Sequence, residues 1–164
     1  IGSLGLQIAK AIGCKVIATG GTTAKCNQAI DLGADISLNH YKDDILGVVK
    51  DFTNGSGVDV VFEHSGASTW DVSMKILGKY GRVVTCGATT GSKVSIDLRY
   101  IFFKQQSIIG STMGNVQALD AVIELVKTYK IKPIVDKIFS MEKISDAHKY
   151  LENSNQFGKV VLIP

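Results

Sequence analysis

The stretch Thr19-Gly20-Gly21-Thr22-Thr23-Ala24-Lys25 brings together glycines, hydroxyls and an ammonium with no carboxylate among them. Glycines leave backbone amides open to approach, hydroxyls donate, and lysine adds a point charge, so the chemistry on offer is the binding of an anion. A second such stretch, Ile1-Gly2-Ser3-Leu4-Gly5-Leu6-Gln7-Ile8-Ala9-Lys10, reads as the end of a Gly-rich turn running into a helix. Free N–H groups and the dipole at a helix start attract anions. Gly-x-x-Gly ahead of a helix also occurs as a plain turn, and these residues alone leave both readings open. His64 stands beside Glu63 as one of the chain's three imidazoles. It is open to two roles, a proton relay or a histidine that hydrogen-bonds the end of a strand. Cys14, Cys26 and Cys86 are odd in number and far apart, with no Cys-x-x-Cys pair. They read as reduced, largely buried thiols, and no metal site is expected from them.

Groups of this kind act only if the chain positions them. Its 164 residues are 45% hydrophobic, enough for one domain with a short appendage. Eighteen Lys and Arg face fifteen Asp and Glu, and the resulting charge of +3 is spread without a basic run. Such a balance argues against a nucleic-acid or membrane partner. No segment approaches the ~20 apolar residues of a membrane span, and no signal peptide is evident, so a reducing, cytoplasmic setting is expected.

Short β-branched runs at residues 15–19, 36–38, 58–63, 82–86 and 107–110 alternate with segments of helical period. That alternation predicts a parallel sheet covered by crossover helices, and the continuous apolar character of the runs predicts strands buried on both faces. Ile45, Val48, Val49 and Phe52, and again Leu119, Val122, Ile123 and Val126, recur at i, i+3, i+4 and i+7, predicting helices with one buried stripe. Asn54-Gly55-Ser56-Gly57 reads as a turn, as do Gly78 and Gly81 ahead of the fourth strand. From residue 129 the pattern changes to Pro133, an extended run at 134–139, a helix carrying Ile144, Ala147, His148 and Leu151, and a last strand at 159–163. Pro133 lacks the donor that a ladder requires and is expected to start an edge strand.

Sheet and turns together predict where an anion sits. In doubly wound domains that bind NAD, a carboxylate ~20 residues after the first glycine of the turn accepts hydrogen bonds from the adenosine ribose. Here that place holds the carboxylate-free turn ending in Lys25, which would welcome a 2′-phosphate, so NADP(H) is expected in preference to NAD(H). The other reading of Lys25 is an ordinary solvated lysine in the first turn of a helix, where the dipole slightly disfavours a cation.

These blocks resemble the medium-chain dehydrogenase/reductase superfamily, in its quinone oxidoreductase-like and zinc-type alcohol dehydrogenase-like branches. The resemblance covers essentially the whole chain. It rests on Gly2-Ser3-Leu4-Gly5 with the helix after it, Lys15-Val16-Ile17-Ala18-Thr19-Gly20-Gly21-Thr22 through Lys25, and Leu32-Gly33-Ala34-Asp35. It continues in Gly57-Val58-Asp59-Val60-Val61-Phe62-Glu63-His64-Ser65-Gly66, Gly81-Arg82-Val83-Val84-Thr85-Cys86-Gly87 and Ile108-Ile109-Gly110-Ser111-Thr112.

The resemblance implies a Rossmann-type doubly wound α/β domain over residues 1–128, lacking its first strand. Residues 129–164 would be a segment returning to a catalytic domain. It further implies that Gly2, Ser3 and Leu4 face a pyrophosphate, and that Gly21, Thr22 and Lys25 face the 2′-phosphate. Ser65, Gly66, Gly87, Ala88, Ser111 and Thr112 would line the nicotinamide side. His40 falls where the family often has a tyrosine, and is either a group stacking or bonding at the adenosine end or a surface histidine.

The family's first strand, its first two glycines and its N-terminal catalytic domain lie outside this sequence. With them lie the zinc ligands and most substrate contacts, so no catalytic residue or metal ligand is assigned. A missing central strand would leave unpaired edges, which implies upstream sequence or a strand recruited from another copy. The expected protein is part of an oxidoreductase moving hydride between NADP(H) and an alcohol or carbonyl, enone or quinone. It would act on a small-molecule substrate as a homo-oligomer, and the isolated chain is expected to be inactive. Alternatives are a non-catalytic nucleotide-binding or interaction module of the same fold, or another doubly wound domain such as a methyltransferase.

Overall fold

The computed structural model describes residues 1–164. The chain forms two compact units, one of residues 1–42 with 115–164 and the other of residues 43–114. Every strand pairing is parallel, and the strands fall into sheets ordered β1-β2, β3-β4-β5 and β6-β7.

The first unit opens with α1 (Gly2–Ala11), then β1 (Ile17–Gly20), α2 (Thr23–Asp31) and β2 (Ile36–Asn39). Residues 15 and 16, expected in the first strand, precede it. The Val16 carbonyl accepts from the amides of Asp35 and Ile36, and the ladder begins at Ile17↔Ile36. Leu6, Ala29 and Ala34 form a small core with Val16, Ala18 and Leu32 packed against it. The unit resumes with α6 (Val116–Tyr129), β6 (Val135–Ser140), a 3-10 turn at Met141–Lys143, α7 (Ile144–Glu152) and β7 (Lys159–Ile163). Gln7 ties the two stretches together. Its side chain donates to the Lys132 carbonyl (2.9 Å) and accepts from the Lys132 amide (3.1 Å), as a paired strand would. Pro133 lies just before β6, where its missing donor removes nothing from the ladder.

The second unit contains α3 (Ile45–Phe52), β3 (Val58–Glu63), α4 (Trp70–Ile76), β4 (Leu77–Thr85), α5 (Leu98–Lys104) and β5 (Ser107–Gly110). Its core is Trp70, Met74, Leu77 and Val83, with Val58, Val61 and Ile101 against it, so α4 and α5 cover one face of the sheet.

β4 begins with Leu77 paired to Val58, and its ladder resumes at Val60↔Arg82, so Gly78–Gly81, with Tyr80 at φ +64°, bulge out as the expected turn ahead of residues 82–85 but within the range of the strand. Gly57 and Gly78 meet backbone to backbone at this bulge, where a Cβ on Gly57 would stand 2.6 Å from the Gly78 nitrogen. Three expectations need correction.

The strands are not buried on both faces, because Val60, Phe62 and Ile109 on the face away from Val61 and Val83 are each more than 40% exposed. Nor is the stripe of α6 buried as a whole, with Leu119, Val122 and Ile123 exposed. Spacing places apolar side chains on one side of an element, but what covers that side depends on other residues. Finally, of the cysteines only Cys26 is buried, and Cys14 and Cys86 are exposed.

Candidate functional site

Because β1 and β2 run parallel, their carboxyl ends bring Gly20–Thr22 and His40 to the same edge of the sheet. The Gly20 carbonyl accepts from the His40 amide (3.1 Å), fixing the two turns together. Thr22 caps α2 by accepting from the Lys25 amide (3.2 Å), so its oxygen is used while its O–H remains able to donate. Gly21 faces aromatic rings. A Cβ there would stand 3.3 Å from Tyr41 Cε2 and 3.5 Å from His40 Nε2, so a side chain would crowd the cleft.

His40 and Tyr41 meet edge to face with ring centroids 4.3 Å apart. Burial, and then the charge of Lys25, hold the His40 imidazole below its ordinary pKa. Gly21, Thr22, Lys25 and His40 are thus neighbours. Tyr41 joins them, and its only mark in the sequence is its place beside His40 at the end of β2.

Lys25 is neither a free solvated lysine nor an idle cation. Its ammonium donates to the carbonyl of Ser154 (2.5 Å), just beyond the C-terminus of α7. A cation at the start of α2 meets an unfavourable helix dipole, and reaching the negative end of α7 offsets that.

Gly2, Ser3 and Leu4 form the first turn of α1 rather than a loop before it. The Gly5 amide bonds to the Ile1 carbonyl, and no side chain caps the helix start. Their amides are those that lack an intrahelical acceptor, and a Cβ on Gly2 would meet nothing within 4 Å.

In the second unit the carboxyl ends of β3, β4 and β5 gather Ser65 and Gly66, Gly87 and Ala88, and Ser111 and Thr112. The organiser is Glu63, only 4% exposed. One carboxylate oxygen accepts from the amides of Ser65 (2.7 Å) and Gly66 (3.2 Å), and the other from the Ser73 hydroxyl (2.6 Å). The Thr69 hydroxyl lies within 3.0 Å of both oxygens. Burial pushes this carboxyl up, but the bonds from Ser73, the Ser65 amide, Thr69 and the Gly66 amide outweigh it and leave the pKa below the usual value.

Across from it Thr90 bonds the Ser65 carbonyl through both its amide and its hydroxyl (each 2.7 Å), and Gly66 adopts φ +92°. The Ser111 amide donates to the Thr85 carbonyl (2.9 Å). Glu63 was not singled out from the sequence, and its signal was a carboxylate ending the apolar run Val60–Phe62 ahead of Ser65, Thr69 and Ser73. The His64 ring does not hydrogen-bond the end of the sheet. It rests edge-on to Phe62 at 6.4 Å, and the backbone carbonyl of His64, not its ring, lies against Gly87.

The two edges differ in chemistry. The β1–β2 edge offers open amides, a hydroxyl and a cation, and suits a phosphate. The β3–β5 edge offers glycine and serine backbone, with its Ser65–Gly66 turn held by a buried carboxylate. Nowhere do three His, Cys, Asp or Glu side chains come together as ligands, so these residues do not fit a zinc ion. No helix is long and apolar enough to cross a membrane.

The family described as zinc-binding dehydrogenase matches residues 1–128. The chain is 30% identical over 166 residues to an NAD-dependent alcohol dehydrogenase of Saccharolobus solfataricus, covering 100% of this chain and 48% of that protein. It is 33% identical over 112 residues to a crotonyl-CoA reductase of Streptomyces avermitilis, covering 68% of this chain and 25% of the relative. Among solved structures, Escherichia coli quinone oxidoreductase complexed with NADPH superposes with a TM-score of 0.86 at 27% identity, over 99% of this chain and 53% of that one. The chain therefore spans about half the length, or less, of the proteins it matches.

Proposed function

Because this chain belongs to the zinc-binding dehydrogenase family, within the medium-chain dehydrogenase/reductase superfamily, we propose that it holds NADP(H) in preference to NAD(H) for hydride transfer. The substrate in this reading is a small-molecule alcohol or carbonyl, enone or quinone. The chain is a nucleotide-binding domain of this oxidoreductase family. Its relatives include an NAD-dependent enzyme and one complexed with NADPH, so membership leaves the cofactor to be argued from the chain's own residues.

The observation that carries the preference is the carboxylate-free turn Gly20–Thr22 with Lys25 behind it at the end of β1. A carboxylate there would repel a 2′-phosphate. Open amides at Gly21, the Thr22 hydroxyl and the Lys25 ammonium attract it. In the same reading Gly2, Ser3 and Leu4 present first-turn amides to the pyrophosphate, and His40 flanks the adenosine end. Ser65, Gly66, Gly87, Ala88, Ser111 and Thr112 position the nicotinamide, with Glu63 holding the Ser65–Gly66 turn in place. When bound, the nicotinamide supplies the hydride donor or acceptor, and this chain's contribution is orientation and fixed dipoles.

The reading also assigns residues 1–128 to the nucleotide-binding domain and 129–164 to a segment returning to a catalytic domain. The edges of β1 and β3 that pair with no strand in the three sheets would take up a further strand, from other sequence or from a second copy in a homo-oligomer.

Titration with NADPH and NADH, with and without Lys25→Ala, tests the cofactor choice. The substitution is expected to weaken NADPH by about 1.5–3 kcal/mol, the range for a hydrogen bond to a charged group, and to leave NADH nearly unchanged. Equal loss for both nucleotides overturns the phosphate assignment.

A further inference from the structure

The bond from Lys25 to Ser154 joins residues 129 apart in sequence, and it recruits the one cation of the Gly20–Lys25 turn. Three features describe the receiving loop, residues 153–158. Ser154 has φ +53°, a left-handed conformation unfavourable for a residue with a Cβ, and it follows the C-cap Asn153 of α7. Its carbonyl stands with the negative end of a nine-residue helix. Gln156 buries a side-chain oxygen with no hydrogen-bond partner, a cost that ends when the loop opens to water. The loop is therefore strained, and Lys25 is the charged contact that opposes its opening.

Resting on the cofactor reading above, we infer that loop 153–158 is a 2′-phosphate-sensitive latch, held closed by the Lys25–Ser154 bond and released when the nucleotide's 2′-phosphate takes the ammonium. An ammonium has three donors, so release has an electrostatic cause rather than a lack of donors. A phosphate dianion placed beside the Lys25–Ser154 contact would face the negative end of α7, which repels it, so the ammonium turns from the carbonyl toward the phosphate. NAD(H), lacking the 2′-phosphate, leaves the latch shut. The loop thereby adds to specificity, since a ligand that opens it must offer more than a neutral carbonyl does.

Hydrogen exchange of the whole chain reads the latch directly, with adenosine 2′,5′-bisphosphate and 5′-AMP as probes and binding followed by calorimetry. In the parent, bound bisphosphate is expected to speed exchange at residues 153–158 about tenfold, whereas 5′-AMP leaves it unchanged. Lys25→Ala is expected to show the fast loop without ligand and no further response. Exchange across β6 serves as the control for general unfolding and stays constant.

A loop slowed or unaffected by bound bisphosphate overturns the latch, as does a Lys25→Ala loop no faster than the parent's. If the bisphosphate fails to bind the parent while Lys25→Ala still frees the loop, the cofactor reading falls and phosphate release falls with it. The Lys25 tie alone then stands.

Discussion

Replacing Glu63 by glutamine (Glu63→Gln) keeps the shape of a buried side chain and removes only its charge. The carboxylate accepts from two backbone amides, which can do nothing but donate, and from two hydroxyls, which can turn to accept. The new carboxamide would therefore keep its oxygen toward Ser65 and Gly66 and present its NH2 to Ser73 and Thr69. Every bond survives in number, but each loses its charged acceptor. Hydrogen bonds to charged groups contribute roughly 1.5–3 kcal/mol against about 1 for neutral ones, so the variant should lose about 2 kcal/mol.

The sign with pH follows from the depressed Glu63 pKa. A carboxyl whose folded pKa lies below the unfolded value contributes stability that is complete above the unfolded pKa and is lost as pH falls through the folded one. The gap between parent and variant should thus be full at neutral pH and close in acid, below the ordinary carboxylate range. The assay is urea unfolding followed by tryptophan fluorescence. Trp70 is the only tryptophan, and it is buried in the core of the unit that holds Glu63. A gap under about 0.5 kcal/mol at neutral pH, or one that persists unchanged into acid, would refute the assigned role.

Gly66→Ala should lower the stability of the same unit by more than about 1 kcal/mol in the same assay, because φ is +92° and the new Cβ would overlap the Gly91 carbonyl. A neutral result would mean that the turn rearranges freely. NMR titration of the His40 imidazole should give a pKa below the ordinary histidine value. Lys25→Ala should raise it only in part, since burial is the larger cause and the Lys25 charge the smaller. An unmoved titration would place Lys25 too far away to act.

Several elements were legible in the sequence. Residues 58–63, 107–110 and 159–163 form the expected strands residue for residue, and Ile45–Phe52 forms the expected helix. Strand type depends on local β-branched content and helix type on a spacing of three and four, both properties of neighbours along the chain. The carboxylate-free turn at Gly20–Thr22 and the placing of Lys25 in the first turn of a helix were legible for the same reason.

What only the tertiary structure decided involves residues distant in sequence. The exposure of Phe62, Leu119 and Val122 depends on what packs against them, and apolar periodicity is the same whether or not a stripe is covered. The pairing of Leu77 with Val58 on the near side of the Gly78–Gly81 turn is set by a strand distant in sequence. Glu63 acquires its bond from Ser73 only when α4 folds over the end of β3, and Lys25 meets Ser154 only when the two distant stretches of the first unit assemble. Local preference is written in adjacent residues, whereas burial and partnership are decided by which surfaces the folded backbone brings together.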